Sequence, residues 1–251
     1  MRPKGRQNGT AQAQKLYFNR MAKNLLTLLI LLAATVPCRA PCQEPSARAS
    51  LEEILAGLPS LSLGSAGQPD SPVNLLFFGS EESLRSALLH AKWTGVPSGM
   101  AESLAGGMLE LAQLEKPARF PPISPEYLFG RAQDMAFAQL CSFVRSRHHF
   151  RLWRASFSGP GGEPAWAGTA AFDAALEFHD RGKDGRRPWG FCHRIDPKLD
   201  RERDYIMGTL SALPAVRRLL RVAHPKASFS GYDSNLNPFE TDGRVLAVFL
   251  Q

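Results

Sequence analysis

The chain has 251 residues, 44% of them apolar, which suits a single globular domain with an ample core. Its formal charge of +7 invites a nucleic-acid partner until the charges are placed. Arg2, Lys4, Arg6, Lys15, Arg20, Lys23 and Arg39 sit in a first forty residues without an acid, while the remainder holds 23 basic and 23 acidic residues. A neutral domain has no overall field to draw it to phosphate backbones, so no nucleic-acid partner is expected.

Residues 1–24 are polar and basic, and Leu25 to Val36 is a nearly pure apolar run of twelve residues ended by Pro37. A spanning helix needs roughly 20 apolar residues, whereas a run of this length suits a secretory signal. Residues 1–40 are therefore expected to be a signal peptide, with cleavage near Ala40, and Met21 offers a tighter start. A lipid-anchored Cys38 or Cys42, or an uncleaved anchor, are the alternatives. The expected location is the periplasm or cell envelope, with peripheral membrane association among the options. In an oxidising compartment Cys141 and Cys192 can pair, or remain two separate thiols. No Cys/His spacing points to zinc and no motif to a cofactor.

Residues 41–71 are rich in Ser, Gly, Pro and Ala and read as a linker with one short helix. In that helix Ser50 and Glu53 form a capping box, and Leu51, Ile54, Leu55 and Leu58 make one stripe. The domain is expected over residues 72–251. Val73 to Phe78 is a continuous apolar run, hence a buried strand. Ser80 then caps a helix with Glu81 and Glu82 in its first turn and Leu84, Leu88 and Ala91 inward. Leu104, Met108 and Leu111 suggest a further helix, and Arg119 to Pro125 an extended connection. Tyr127 to Phe129 and Met135 to Leu140 read as strands.

Arg147-His148-His149-Phe150-Arg151-Leu152-Trp153-Arg154 contains no turn former and reads as a central strand. Alternation sends His148, Phe150 and Leu152 to a core face, and Arg147, His149, Arg151 and Trp153 to a polar face. One reading makes His148 a hydrogen-bonded core histidine and the arginines a solvated face. The other makes the polar face a site. Gly159-Pro160-Gly161-Gly162 turns the chain into a long strand from Ala165 to Phe178. Trp166, Phe172, Leu176 and Phe178 share its core face, with Thr169, Asp173 and Glu177 on the other. Side-chain parity then places His149 opposite or diagonal to Asp173, and Arg145 near Glu177. A carboxylate in that place would raise the histidine's pKa and fix its tautomer.

Gly190 to Ile195 is a strand carrying Cys192 and His193. Asp196-Pro197 reads as a helix start with Asp196 at the N-cap, and Leu199, Ile206, Leu210 and Leu213 line the buried face. Asp200 and Asp204 pair with Arg201 and Arg203 or with solvent. Val216 to Val222 and Val245 to Leu250 are the last strands, with Thr241-Asp242-Gly243 as a turn before the second. Arg217, Arg218, Arg221 and Lys226 read as a basic cluster without a nearby acid. The whole is α+β: a mixed, mainly antiparallel sheet with helices packed on it.

Five motifs in this order carry a resemblance. They are Phe129-Gly130-Arg131 with Gln133-Asp134, the His-His strand, Trp166-Ala167-Gly168 with Phe172-Asp173, His193 to Pro197 with Asp200 to Tyr205, and Thr241 to Arg244. Over roughly residues 72–250 the chain resembles the LssY C-terminal domain family, which is bacterial and without an assigned activity. Larger members append this domain to membrane-spanning regions resembling DedA and lipid phosphatases. Met100 stands after Pro97-Ser98-Gly99 where the phosphatase histidine would be, so phosphatase activity is not implied.

Two functions are open. One is a binding or accessory module holding an envelope partner, a lipid headgroup or a glycan. The other is a hydrolase or lyase using His149, Asp173, Arg151 and His193, with histidine as general base and arginine stabilising a developing anion. The exported form is expected to begin between Ala40 and Ser50. Intact-mass measurement of envelope protein checks this, and a cytoplasmic chain retaining Met1 or Met21 contradicts it.

Overall fold

The computed structural model describes residues 49–96, 123–142, 146–179 and 190–251. In chain order the helices are α1 (Leu51–Gly57), α2 (Glu81–His90) and α3 (Leu199–Leu210). The strands are β1 (Leu61–Leu63), β2 (Pro69–Pro72), β3 (Leu75–Phe78), β4 (Thr94–Val96), β5 (Tyr127–Leu128), β6 (Arg131–Ala132) and β7 (Met135–Ser142). They continue with β8 (Ser146–Ser158), β9 (Pro164–His179), β10 (Gly190–Ile195), β11 (Val216–Ala223), β12 (Ser230–Tyr232), β13 (Pro238–Glu240) and β14 (Arg244–Leu250).

The main sheet runs β11-β14-β3-β9-β8-β7-β4, with β10 also paired to β9. Only β14–β3 is parallel; the other pairs are antiparallel. A smaller sheet, β2-β1-β5-β6, and the β12–β13 hairpin complete the described residues. This is the expected α+β architecture. β3 explains its own composition: Leu75 and Phe77 enter one core, Leu76 and Phe78 the other. A strand covered on both faces has no polar side, so its sequence cannot alternate.

On the first face lie α2 and α3, through Leu84, Leu88, Ile206 and Leu210, against Phe150, Leu152 and Trp166. α2 begins as expected, with the Ser80 side chain accepting from the Ser83 N–H. On the second face lie α1 and β5, through Ile54, Leu55, Leu58 and Leu128, against Trp153, Ala165, Ala167 and Ala247. The tight turn at Gly159–Gly162 closes the β8–β9 hairpin, with Gly162 at φ 86°. Just before β3 begins, Asn74 extends its pairing to β9: its side chain donates to Ala170 O and accepts from Ala170 N.

Four expectations are corrected. Residues 49–71 are not a linker, because α1 keeps its capping box but buries Ile54 and Leu55 in the second core, and β1 and β2 build the small sheet. The face carrying Arg147, His149, Arg151 and Trp153 is not solvated: all four are buried beneath the second layer. Asp196 does not cap α3, which starts at Leu199 after Lys198; instead its carboxylate accepts from the Lys198 N–H and meets Arg201. The late basic cluster has partners, since Arg221 meets Asp204 at 3.0 Å, Arg217 faces Glu163 at 3.9 Å and Lys226 donates to Ala56 O. The helix expected around Leu104 to Leu111 lies outside the described residues.

Beyond apolar packing, α3 is tied to β14 through a buried arginine. Arg203, its side chain 2% exposed, pairs with Asp242, Asp200 and Asp204 and donates to Arg244 O. Asp200 reaches on to the Thr241 hydroxyl and the Asp242 N–H. Partial burial works against ionisation of Asp242, but hydrogen bonds from Arg203 and the Arg244 N–H outweigh it and hold its carboxyl below its ordinary 3.8. A carboxylate whose pKa falls on folding adds stability above its unfolded value, lost as pH falls through the lower folded one. Arg203→Ala should cost about 1.5–3 kcal/mol by removing the charged hydrogen bonds to Asp200 and Asp242, with Asp204 keeping Arg221, and should erase that part of the acid-side loss. Arg201→Ala should change little. Denaturant unfolding at several pH values checks both.

Candidate functional site

The second face of the β8–β9 hairpin changes character along its length. Near the turn Trp153, Ala155, Ala165 and Ala167 enter the apolar core. Farther from it Arg151, His149, Arg147, Ala171 and Asp173 line a cleft of about 300 Å³, at the small end of ligand pockets. The cleft is walled by Asp70 and Ser71 of β2, by Ser124 to Glu126 before β5, and by Asp233 to Asn235 after β12.

The floor is ionic and internally matched. Arg147 stands directly opposite Asp173 in the ladder, and its Nε donates to Asp173 Oδ2 at 2.6 Å. Arg151 meets Glu126 at 2.7 Å and donates twice to Ser124 O at 3.0 Å. Glu126 also accepts from the hydroxyls of Ser62, Ser71 and Thr169. Burial pushes its carboxyl above the ordinary range, Arg151 pulls it back, and Asp70 pushes it up again. None of these four charged side chains is more than 8% exposed, so removing a partner would leave a charge buried.

The rim is neutral. Asp233 binds the N–H groups of Asn235 and Asn237 and the Asn237 side-chain amide, which fixes the loop after β12. Burial raises its carboxyl, with Asn237 opposing and Asp70 adding to the rise. Asp70 accepts from the Ser234 N–H at 3.3 Å. The side chains of Ser65, Ser124, Ser234 and Asn235 line the cleft and make no hydrogen bond among the described residues.

Of the residues singled out from sequence, His149, Asp173 and Arg151 come together in this cleft. His149 faces Ala171 and is thus diagonal to Asp173, with Nδ1 3.6 Å from Asp173 Oδ2. That is contact between polar atoms but longer than a hydrogen bond. Arg147, not Arg151, is the direct partner of Asp173. His193 pairs with Leu176 in the β10–β9 ladder; its side chain lies outside the described residues, as do Arg145 and the Glu177 side chain.

On the opposite face of β8 the expected core histidine has a partner that sequence reasoning missed. His148 Nδ1 lies 2.5 Å from Glu202 Oε2, and its ring stacks on Tyr205. Glu202 was findable, since it shares the spacing of Leu199 and Ile206 on the buried face of α3. Glu126 and Asp70 gave no such sign. Cys141 is an exposed free thiol. Cys192 lies across β8 and β9 from it, three ladder steps or roughly 14 Å, beyond the reach of a disulfide. Among the described residues no group of His, Cys, Asp and Glu is placed to hold a metal ion.

A family model described as LssY C-terminus matches residues 55–245, from within α1 to the start of β14. No curated protein and no solved structure matches the chain.

Asp173→Asn should destabilise the fold by about 3–5 kcal/mol, because it leaves Arg147 buried without its carboxylate. Replacing both, as Arg147→Met with Asp173→Leu, should restore much of that loss. Urea unfolding of the single and double variants checks the contrast.

Proposed function

The chain belongs to the LssY C-terminus family, and from that membership and the cleft we propose that it is an exported envelope module that binds a small polar ligand. Export is supported by the basic start and twelve-residue apolar run of the sequence. Among the described residues no helix is long and apolar enough to cross a membrane.

One observation carries the binding reading: the cleft has a saturated floor and an unspent rim. Arg147 and Arg151 are already neutralised by Asp173 and Glu126. Such a floor is rigid and does not need a ligand to complete it. The groups left over are hydroxyls, one amide and the carboxylate of Asp70. They offer both donors and acceptors, which suits a hydroxyl-rich ligand such as a glycan or an uncharged headgroup. With Asp70 and Asp233 unmatched by a cation among the described residues, the lining has an excess of negative charge and disfavours phosphate.

A hydrolase or lyase is the second reading, favoured by the approach of His149 to Asp173. There His149 would take a proton from water or substrate, oriented by the carboxylate. Arg151 is a poor anion stabiliser in that scheme, because Glu126 and Ser124 O already occupy it.

The test is affinity capture from envelope extract by the exported chain, followed by calorimetric titration of whatever neutral, hydroxyl-rich compound is retained. Asn235→Ala and Asp70→Asn should each weaken binding roughly tenfold, about 1.4 kcal/mol, with His149→Gln folded but weaker still. Binding untouched by all three substitutions contradicts the proposal. Conversion of the compound, lost in His149→Gln, would establish the second reading instead.

A further inference from the structure

His148 and His149 are consecutive on β8, so they leave opposite faces of the main sheet. His149 lines the cleft, while His148 faces α3 and meets Glu202 at 2.5 Å. This pair is unlike a surface ion pair in three respects. The Glu202 side chain is 1% exposed. Its second oxygen, Oε1, is buried and makes no hydrogen bond among the described residues. The imidazole stacks on Tyr205, parallel to it at 3.6 Å and 7°, and meets Phe172 at 4.7 Å.

Tyr205 is itself held in place. Its hydroxyl donates to Gln139 Oε1, and Gln139 Nε2 donates to Ala91 O, both at 2.8 Å. The ring on which the imidazole stacks is thus anchored to both β7 and the end of α2. Among the described residues the titratable groups around Glu202 are His148 from β8, Asp173 from β9, Cys141 from β7 and Tyr205 from α3 itself. No lysine or arginine of the described residues lies within ion-pair distance of it.

We infer that His148 and Glu202 form a proton switch read by the cleft: release of the proton they hold between them adds a negative charge behind β8, which His149 and Asp173 sense from the other side. The direction of the coupling is fixed. Burial pushes Glu202 up to about 7, the hydrogen bond and charge of His148 oppose this, and the charge of Asp173 adds to it. Coupling between sites is reciprocal. An ionised Glu202 therefore makes Asp173 harder to ionise and favours the protonated form of His149. Stability follows the same logic: the contribution of Glu202 is full below its ordinary 4.5 and is lost as pH rises through about 7. Function would then vary across neutral pH without any cleft residue having to titrate there. The inference concerns protons alone and stands whether the cleft binds a ligand or transforms one.

The experiment is an NMR titration of the full chain with labelled histidines, alongside Glu202→Gln and His148→Gln. In the unmodified chain the His149 resonances should show a second inflection that coincides with the step seen at His148. In Glu202→Gln that inflection should vanish, and the His149 midpoint should fall by on the order of half a unit. A His149 curve with one step and the same midpoint in both proteins overturns the inference. Should Glu202→Gln fail to fold, the unmodified chain decides alone: a shared inflection supports the switch, and its absence rejects it.

Discussion

Buried charge is the constraint on which this structure turns. The β8–β9 hairpin carries Arg147, His149, Arg151 and Asp173 on a face that is closed over by a second layer. Ions in that position are tolerable only when matched and hydrogen-bonded. Asp173 meets Arg147 across the ladder, but the partner of Arg151 must come from elsewhere. It comes from Glu126, ahead of β5, and Glu126 in turn needs the hydroxyls of Ser62, Ser71 and Thr169. The small sheet β2-β1-β5-β6 is thus more than a cover for apolar residues. It delivers the counter-charges and hydrogen bonds without which the polar half of the hairpin could not be buried.

The same constraint shapes what the cleft can do. A floor whose charges are spent on one another leaves the hydroxyls, the Asn235 amide and the Asp70 carboxylate of the rim as the groups open to a ligand. Arg203 repeats the pattern at the far end of α3, where one guanidinium draws three carboxylates and a carbonyl into a joint between helix and strand. The His148–Glu202 pair departs from it. There a buried carboxylate meets a histidine and, among the described residues, no lysine or arginine, and burial keeps its proton to near-neutral pH. Two of these ionic sites are matched by arginine, and the one matched by histidine is the one whose carboxyl is pushed towards neutral pH.

Much of the fold was legible because local signals agreed with burial. The unbroken apolar run of β3, the Ser80 cap with its two acids, the glycine turn after β8 and the period of α3 each point to the element observed. Parity along the hairpin was enough to bring His149 to the diagonal of Asp173. What could not be read was long-range cover. Alternation shows that Arg147, His149 and Arg151 share a face, but not that residues 49–72 and 123–132 return to enclose it. The Ser, Gly and Pro content of residues 41–71 resembles a linker, and only tertiary packing makes α1, β1 and β2 part of the domain. Glu126 likewise becomes a counter-ion through a contact 25 residues away in sequence from Arg151; nothing in its own neighbourhood announces it.

The central claim is that the enclosed, charge-matched cleft is where this protein meets its ligand. The most direct measurement maps amide shifts in the isotope-labelled chain as the low-mass fraction of envelope extract is added. The account predicts that the shifts cluster on Ser65, Ser71, Ser124, Ala171, Ser234 and Asn235. Shifts confined to the outer faces of α2 and β11, with those six amides unmoved, would contradict it.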